Sequence, residues 1–188
     1  MTMPTFTDGV VVHQASLNAL STGINNLATA SLGAPPPRSY VPTLRLRKTN
    51  AQTFSTGTNT LVTWDTVDVN TDSMFTLSAP STITIQTAGS YAVFVEYGWM
   101  ANGSGGRVMW VTKNGTSTSA NSIGIDEQAA WGLPTGRGNT LHIVNMLPNC
   151  IVGDTFYVTA YQNSGGNLTN VTTSFLPLCS LVSYRVGP

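Results

Sequence analysis

Side chains able to do chemistry are few in this chain, and they are scattered. The two histidines are His13 and His142. Neither sits in a His-x-x-x-His or His-Glu-x-x-His array, the spacing that sets two imidazoles on one helical face around zinc. A Ser-His-Asp triad assembles in space and not in sequence, but the chain has no Gly-x-Ser-x-Gly elbow and no phosphate-binding Gly-Lys-Ser/Thr. His142, in an alternating stretch, reads as a structural residue. Asp65, Asp68 and Asp72 fall in one polar loop, and Asp126-Glu127 in an irregular stretch. Loop carboxylates suit calcium, yet without EF-hand spacing no metal is expected. Acids so close on one loop also do not form the opposed pair of a glycosidase. Cys150 and Cys179 lie among apolar or small residues and read as buried free thiols. Trp131, between Ala129-Ala130 and Gly132-Leu133-Pro134, is the candidate ligand contact, because an indole in a loop can stack on the apolar face of a sugar. Trp99 and Trp110 read as core or subunit-interface residues. The expectation is a protein that is not an enzyme and carries no cofactor.

The elements that hold these side chains follow from composition and periodicity. At 188 residues the chain suits one domain with a modest extension, long enough to bury a core without staples. Charged residues make up only 9%, against about 25% in a typical protein, so Thr, Ser, Asn and Gly carry the polarity. Eight basic and eight acidic residues give a net charge of zero. Nucleic acid requires a basic stripe, and none is visible; the low net charge also removes one barrier to self-association. No run approaches the roughly 20 apolar residues of a membrane span. MTMPTFTDG lacks the basic and apolar regions of a secretory signal. The sequons at Asn102, Asn114, Asn167 and Asn170 therefore read as by-products of composition.

Residues 1–33 differ from the rest. Thr7-Asp8-Gly9 supplies helix-start chemistry, and Leu17, Leu20, Ile24 and Leu27 follow at spacings of three, four and three, the narrow seam of an associating helix. Two heptads do not hold an isolated helix. The seam therefore needs a partner: a second copy, a scaffold, or its own β domain. Gly33 ends the pattern, and Ala34-Pro35-Pro36-Pro37 makes residues 34–39 a stiff, extended linker.

Strand signals fill residues 40–188. Thr43-Leu44-Arg45-Leu46-Arg47 alternates, Leu61-Val62-Thr63-Trp64 is β-prone, and residues 65–73 read as a polar loop. Ser81 to Ile85 alternates into the turn Thr87-Ala88-Gly89. Residues 90–99 are the strongest strand, with Tyr91, Val93, Val95, Tyr97 and Trp99 on one face. Arg107 to Thr112 follows the loop at 102–106, and Asn114-Gly115 signals a tight hairpin. Residues 120–138 read as an irregular surface excursion. Strand character resumes at 140–147, 156–162 and 174–186. Eight or so short strands between turn signals predict a sandwich or jelly roll.

The order of these signals resembles the C1q/TNF-like jelly roll. The local matches are Phe75 followed by Gly89-Ser90-Tyr91-Ala92-Val93, and Val152-Gly153-Asp154-Thr155-Phe156-Tyr157-Val158 before the Gly165-Gly166 loop. Phe6-Thr7-Asp8-Gly9-Val10 through Leu17-Asn18-Ala19-Leu20 and Ile24-Asn25 resembles the opening of small minor virion proteins of tailed phages infecting actinobacteria. Together these resemblances imply an all-β jelly roll with a short N-terminal helix, a homotrimer displayed on the surface of a virion. Its partners would be its own copies, other virion proteins bound through residues 1–38, and host cell-surface glycan, with no nucleic acid and no membrane insertion. A minor tail or tail-tip location is expected first. A capsid decoration or head-spike protein is the close alternative, and a glycan-degrading enzyme the distant one.

Overall fold

The computed structural model describes residues 41–129, 140–172 and 179–187. The seam residues Leu17, Leu20, Ile24 and Leu27, the linker and Trp131 lie outside the described residues. Those that are described form twelve strands and their connections, with no helix among them.

One sheet takes β1 (Thr43–Lys48), β4 (Thr66–Asn70), β6 (Gly89–Gly98), β9 (Thr140–Cys150) and β12 (Cys179–Gly187), in the order β4-β1-β12-β6-β9. The second takes β3 (Thr60–Leu61), β7 (Gly106–Lys113), β8 (Ser122–Ala129) and β10 (Thr155–Gln162), in the order β3-β10-β7-β8, with β5 (Ile83–Thr84) also on β10. A small pair joins β2 (Thr53–Phe54) to β11 (Leu168–Thr169). All pairings are antiparallel. β6 and β7 are neighbours in sequence but lie in different sheets, and so do β8 and β9. That sheet-switching is what makes the sandwich a jelly roll.

The core follows from period-2 alternation. Leu44 and Leu46 on β1, and Leu141, Ile143 and Leu147 on β9, point inward and are buried. Tyr91, Val93, Val95, Tyr97 and Trp99 do the same from β6. Met109, Val111, Phe156, Val158 and Ala160 face them from the second sheet. At one end Tyr97 meets Phe54, Trp64 and Trp99 edge-to-face, with ring centroids 5.6 to 6.5 Å apart. Such pairs add about 0.5–1.5 kcal/mol each beyond their burial.

Three local expectations are corrected. Within the predicted polar loop at 65–73, residues 66–70 form β4: Val67 and Val69 alternate, and Asp68 is drawn onto β1 by Arg47. The predicted excursion at 120–138 holds a regular strand, β8, whose Gly124 and acidic pair blur its hydrophobic alternation. The Asn114-Gly115 tight hairpin is instead the start of a longer connection over 114–121. Asn114 takes the expected left-handed φ of 54°. Its side chain, however, is bound by Asp154 and the Thr155 amide, which turns the chain away from a two-residue closure.

Candidate functional site

The first sheet presents its outward face as a patterned surface. Outward residues alternate with the buried ones just named, and the strand register sets them in three cross-strand rows. The middle row is Arg45, Val182, Phe94 and Val144. On one side lie Thr43, Tyr184, Ala92 and Met146, and on the other Arg47, Ser180, Glu96 and His142. Val182, Tyr184, Phe94, Ala92, Val144 and Met146 are therefore contiguous, an apolar field across β12, β6 and β9. Val144 is 72% exposed, Met146 45% and Tyr184 36%. Phe94 and Tyr184 stack with centroids 5.8 Å apart and planes 16° from parallel. Isolated exposed apolar residues mean little, but a joined set of this kind marks an interaction surface.

The field is bordered by charge. The Arg47 guanidinium grips Asp68 with Nε to Oδ2 at 2.7 Å and Nη2 to Oδ1 at 2.7 Å, and Arg45 Nε lies 3.4 Å from Asp68 Oδ2. The Arg47 hydrogen bond holds the Asp68 carboxyl below its ordinary range, so this corner stays paired near neutrality. At the far edge a shallow hollow of about 270 Å³ runs between Phe94, Val144 and Val182 and is closed by Glu96, His142 and Ser180. β9 is the last strand of this sheet. The backbone N–H of His142 points away from β6 and donates to Asp126 Oδ2 at 2.8 Å, and β8 lies along this side of β9 with Gly124 against Ile143 and Asn145.

The candidate chemistry of the sequence is dispersed by the fold. His142 stands exposed on the outward face and shares a row with Ser180 and Glu96. A catalytic relay needs histidine between nucleophile and acid. Here the acid holds the middle strand, and two strand spacings put Ser180 and His142 about 10 Å apart. Asp65 accepts from Lys48 Nζ at 2.9 Å and from the Thr49 and Asn50 amides at 2.8 and 2.9 Å, while Asp68 belongs to Arg47. The structure thus spreads Asp65, Asp68 and Asp72 instead of gathering them, and among the described residues no cluster of metal ligands forms. Cys150 lies opposite Gly89 at one end of β6, whereas the Gly98 amide at the other end donates to Cys179 Sγ at 3.3 Å. The length of β6 separates them by about 30 Å. Both are buried and free, as expected of thiols set among apolar neighbours. Trp99 is fully buried in the core; Trp110 is half-buried on the outward face of the second sheet, a position the sequence reading left open.

By sequence the chain matches no protein family and no curated protein. By fold it is similar to murine APRIL, with a TM-score of 0.57 over 77% of this chain and 98% of that one at 11% identity. It is similar also to the Eiger TNF of S. frugiperda, with a TM-score of 0.56 over 78% and 93% at 12% identity. The globular domain of zebrafish complement 1qA aligns at 0.47 over 77% and 96%, with 11% identity. The sandwich is a TNF-like jelly roll, and at these identities the likeness is one of fold.

Proposed function

We propose that the chain is a structural protein of a virion, a homotrimeric minor tail or tail-tip component that displays its jelly roll on the particle. The observation that carries this reading is the apolar field on the first sheet. A jelly roll that joins exposed Tyr184, Val144 and Met146 to half-buried Phe94 and Val182 is built to be covered. The TNF-like fold supports covering by further copies of the chain. The N-terminal leader, with its Leu17, Leu20, Ile24 and Leu27 seam, supports attachment to other virion proteins through residues 1–38. The resemblance of that leader to minor virion proteins of actinobacterial phages supplies the particle, and a capsid decoration would use the same parts.

Sedimentation velocity on the full chain tests the assembly. The wild type is expected as a trimer, and Phe94→Arg combined with Val144→Asp is expected as a folded monomer with unchanged strand content. A monomeric wild type, or a double variant that remains trimeric, overturns the assignment of this face. Detection of the chain in purified particles by mass spectrometry tests the virion role, and its absence there overturns that role.

A further inference from the structure

The outward face of the second sheet has a different chemistry. β10 contributes Tyr157, Thr159 and Tyr161, and β7 contributes Trp110 and Thr112. In the register Thr159 is opposite Trp110, and Tyr157 is opposite Thr112. The three aromatic rings are part-exposed, and the two threonines between them are buried. The Trp110 and Tyr161 rings meet at 70° with centroids 6.4 Å apart, which makes an open corner. Glu127 of β8 stands exposed in the row of Tyr161, with Val108 between them. Asp126, its neighbour, faces the other way and is spent on His142. Among the described residues, no cation is in ion-pair contact with Glu127, and no Lys or Arg stands on this face.

We propose that this face binds a neutral glycan, with a pyranose ring stacked on Trp110, flanked by Tyr161, and held through its hydroxyls by Glu127. Aromatic faces attract the C–H side of a sugar. Exposed Ile125 stands directly across from Trp110 and extends the apolar platform, and Glu127, one row on, supplies an acceptor, a carboxylate being the stronger kind. Among the described residues the face has no cation to offer phosphate, sialic acid or nucleic acid. A second copy of the chain is already assigned to the opposite sheet, so the two surfaces can be occupied together. The inference deepens the proposed role by naming what a displayed jelly roll would hold. It rests on that role only for its biological setting, because the contact forms on the isolated protein.

Affinity electrophoresis of the full chain through gels containing β-glucan, mannan or arabinogalactan, with alginate as the charged control, tests it. Retardation by at least one neutral polymer and none by alginate is expected. Trp110→Ala should weaken that retardation more than tenfold and Glu127→Gln several-fold, with thermal midpoint and sedimentation unchanged, while Trp131→Ala leaves it intact. Should Trp110→Ala fail to fold, the wild-type Trp110 indole N–H resonance is expected to shift on titration with the retarding glycan's oligosaccharide. Retardation by no neutral polymer, a preference for alginate, survival of binding in Trp110→Ala, or an unmoved Trp110 resonance each overturns the site. A monomeric chain that still binds overturns the trimer alone, and a trimer that ignores all three polymers overturns the glycan site alone.

Discussion

Asp65 shows how much one carboxylate organises here. It takes the Lys48 ammonium, the Thr49 hydroxyl and two successive amides, and so closes the chain just after β1. Burial alone would raise its pKa, but the Thr49 amide, Lys48 and the Asn50 amide outweigh that and hold the carboxyl well below its ordinary range. Lys48 is 6% exposed, so removing its partner strands a buried charge. Asp65→Ala is expected to cost about 2–4 kcal/mol, read from urea unfolding. The depressed pKa also fixes a direction with pH. The stabilisation is complete above the unfolded carboxyl value of about 4 and drains away as pH falls below it. Urea midpoints of Asp65→Asn should therefore fall less steeply than wild type between pH 5 and pH 2.5. None of this was visible in sequence, where Asp65 was one of three loop acids. Its donors sit 15 to 17 residues back and arrive only when β1 and β4 pair.

At the scale of elements, legibility tracked burial on alternate positions. β1, β6, β7, β9, β10 and β12 each bury a full inward face, so an apolar period of two survives in the sequence, even though Ala92, Val108, Thr112 and Thr159 are covered on the outward side too. The two-residue strands β2, β3, β5 and β11 have no period to show, and β8 hides behind Gly124 and Asp126-Glu127. Gly89, placed by the sequence at the end of the turn Thr87-Ala88-Gly89, has a φ of 149° and lies against Arg185 and the Gly187 carbonyl oxygen. A Cβ there would collide with backbone that cannot swing aside. Gly89→Ala should therefore cost at least about 2 kcal/mol and shift the urea midpoint without changing the transition slope. The following turn-and-strand match also has its physical cause. Gly153 holds a φ of 92°, and Asp154 accepts from the Ile151 amide at 3.0 Å and from Lys113 at 2.8 Å.

For the whole molecule, class was readable and assembly was not. Eight or so strand signals between turns announce a sandwich, but which face of which sheet stays apolar depends on strand order. Phe94, Val144, Val182 and Tyr184 lie on three strands spread over some 90 residues of chain, and only the register joins them. The same holds for Trp110 and Tyr161, whereas Trp131 was singled out because a loop position can be judged locally. Among the described residues the core cluster runs from Leu44 to Leu181, all of it retained when residues 1–38 are removed. The truncated chain is expected to keep its strand circular dichroism and a cooperative melt within a few degrees of wild type, while losing incorporation into particles.

The Asp126 carboxylate on the His142 amide carries a consequence for colloidal behaviour. An eleven-residue strand at the end of a sheet, beside exposed Val144 and Met146, would be a template for further chains were β8 not packed along it, with Gly124 against Ile143 and Asn145 and Asp126 on the His142 amide. Rotation about a closed axis ends after a few copies, whereas edge-to-edge addition makes fibres. Asp126→Ala bares the amide of His142, the third residue of the strand, and loosens β8 on that edge while leaving the core untouched. The variant should melt near wild type yet scatter light increasingly on standing, and the growth should be suppressed when Val144→Lys places a charge beside the bared amide.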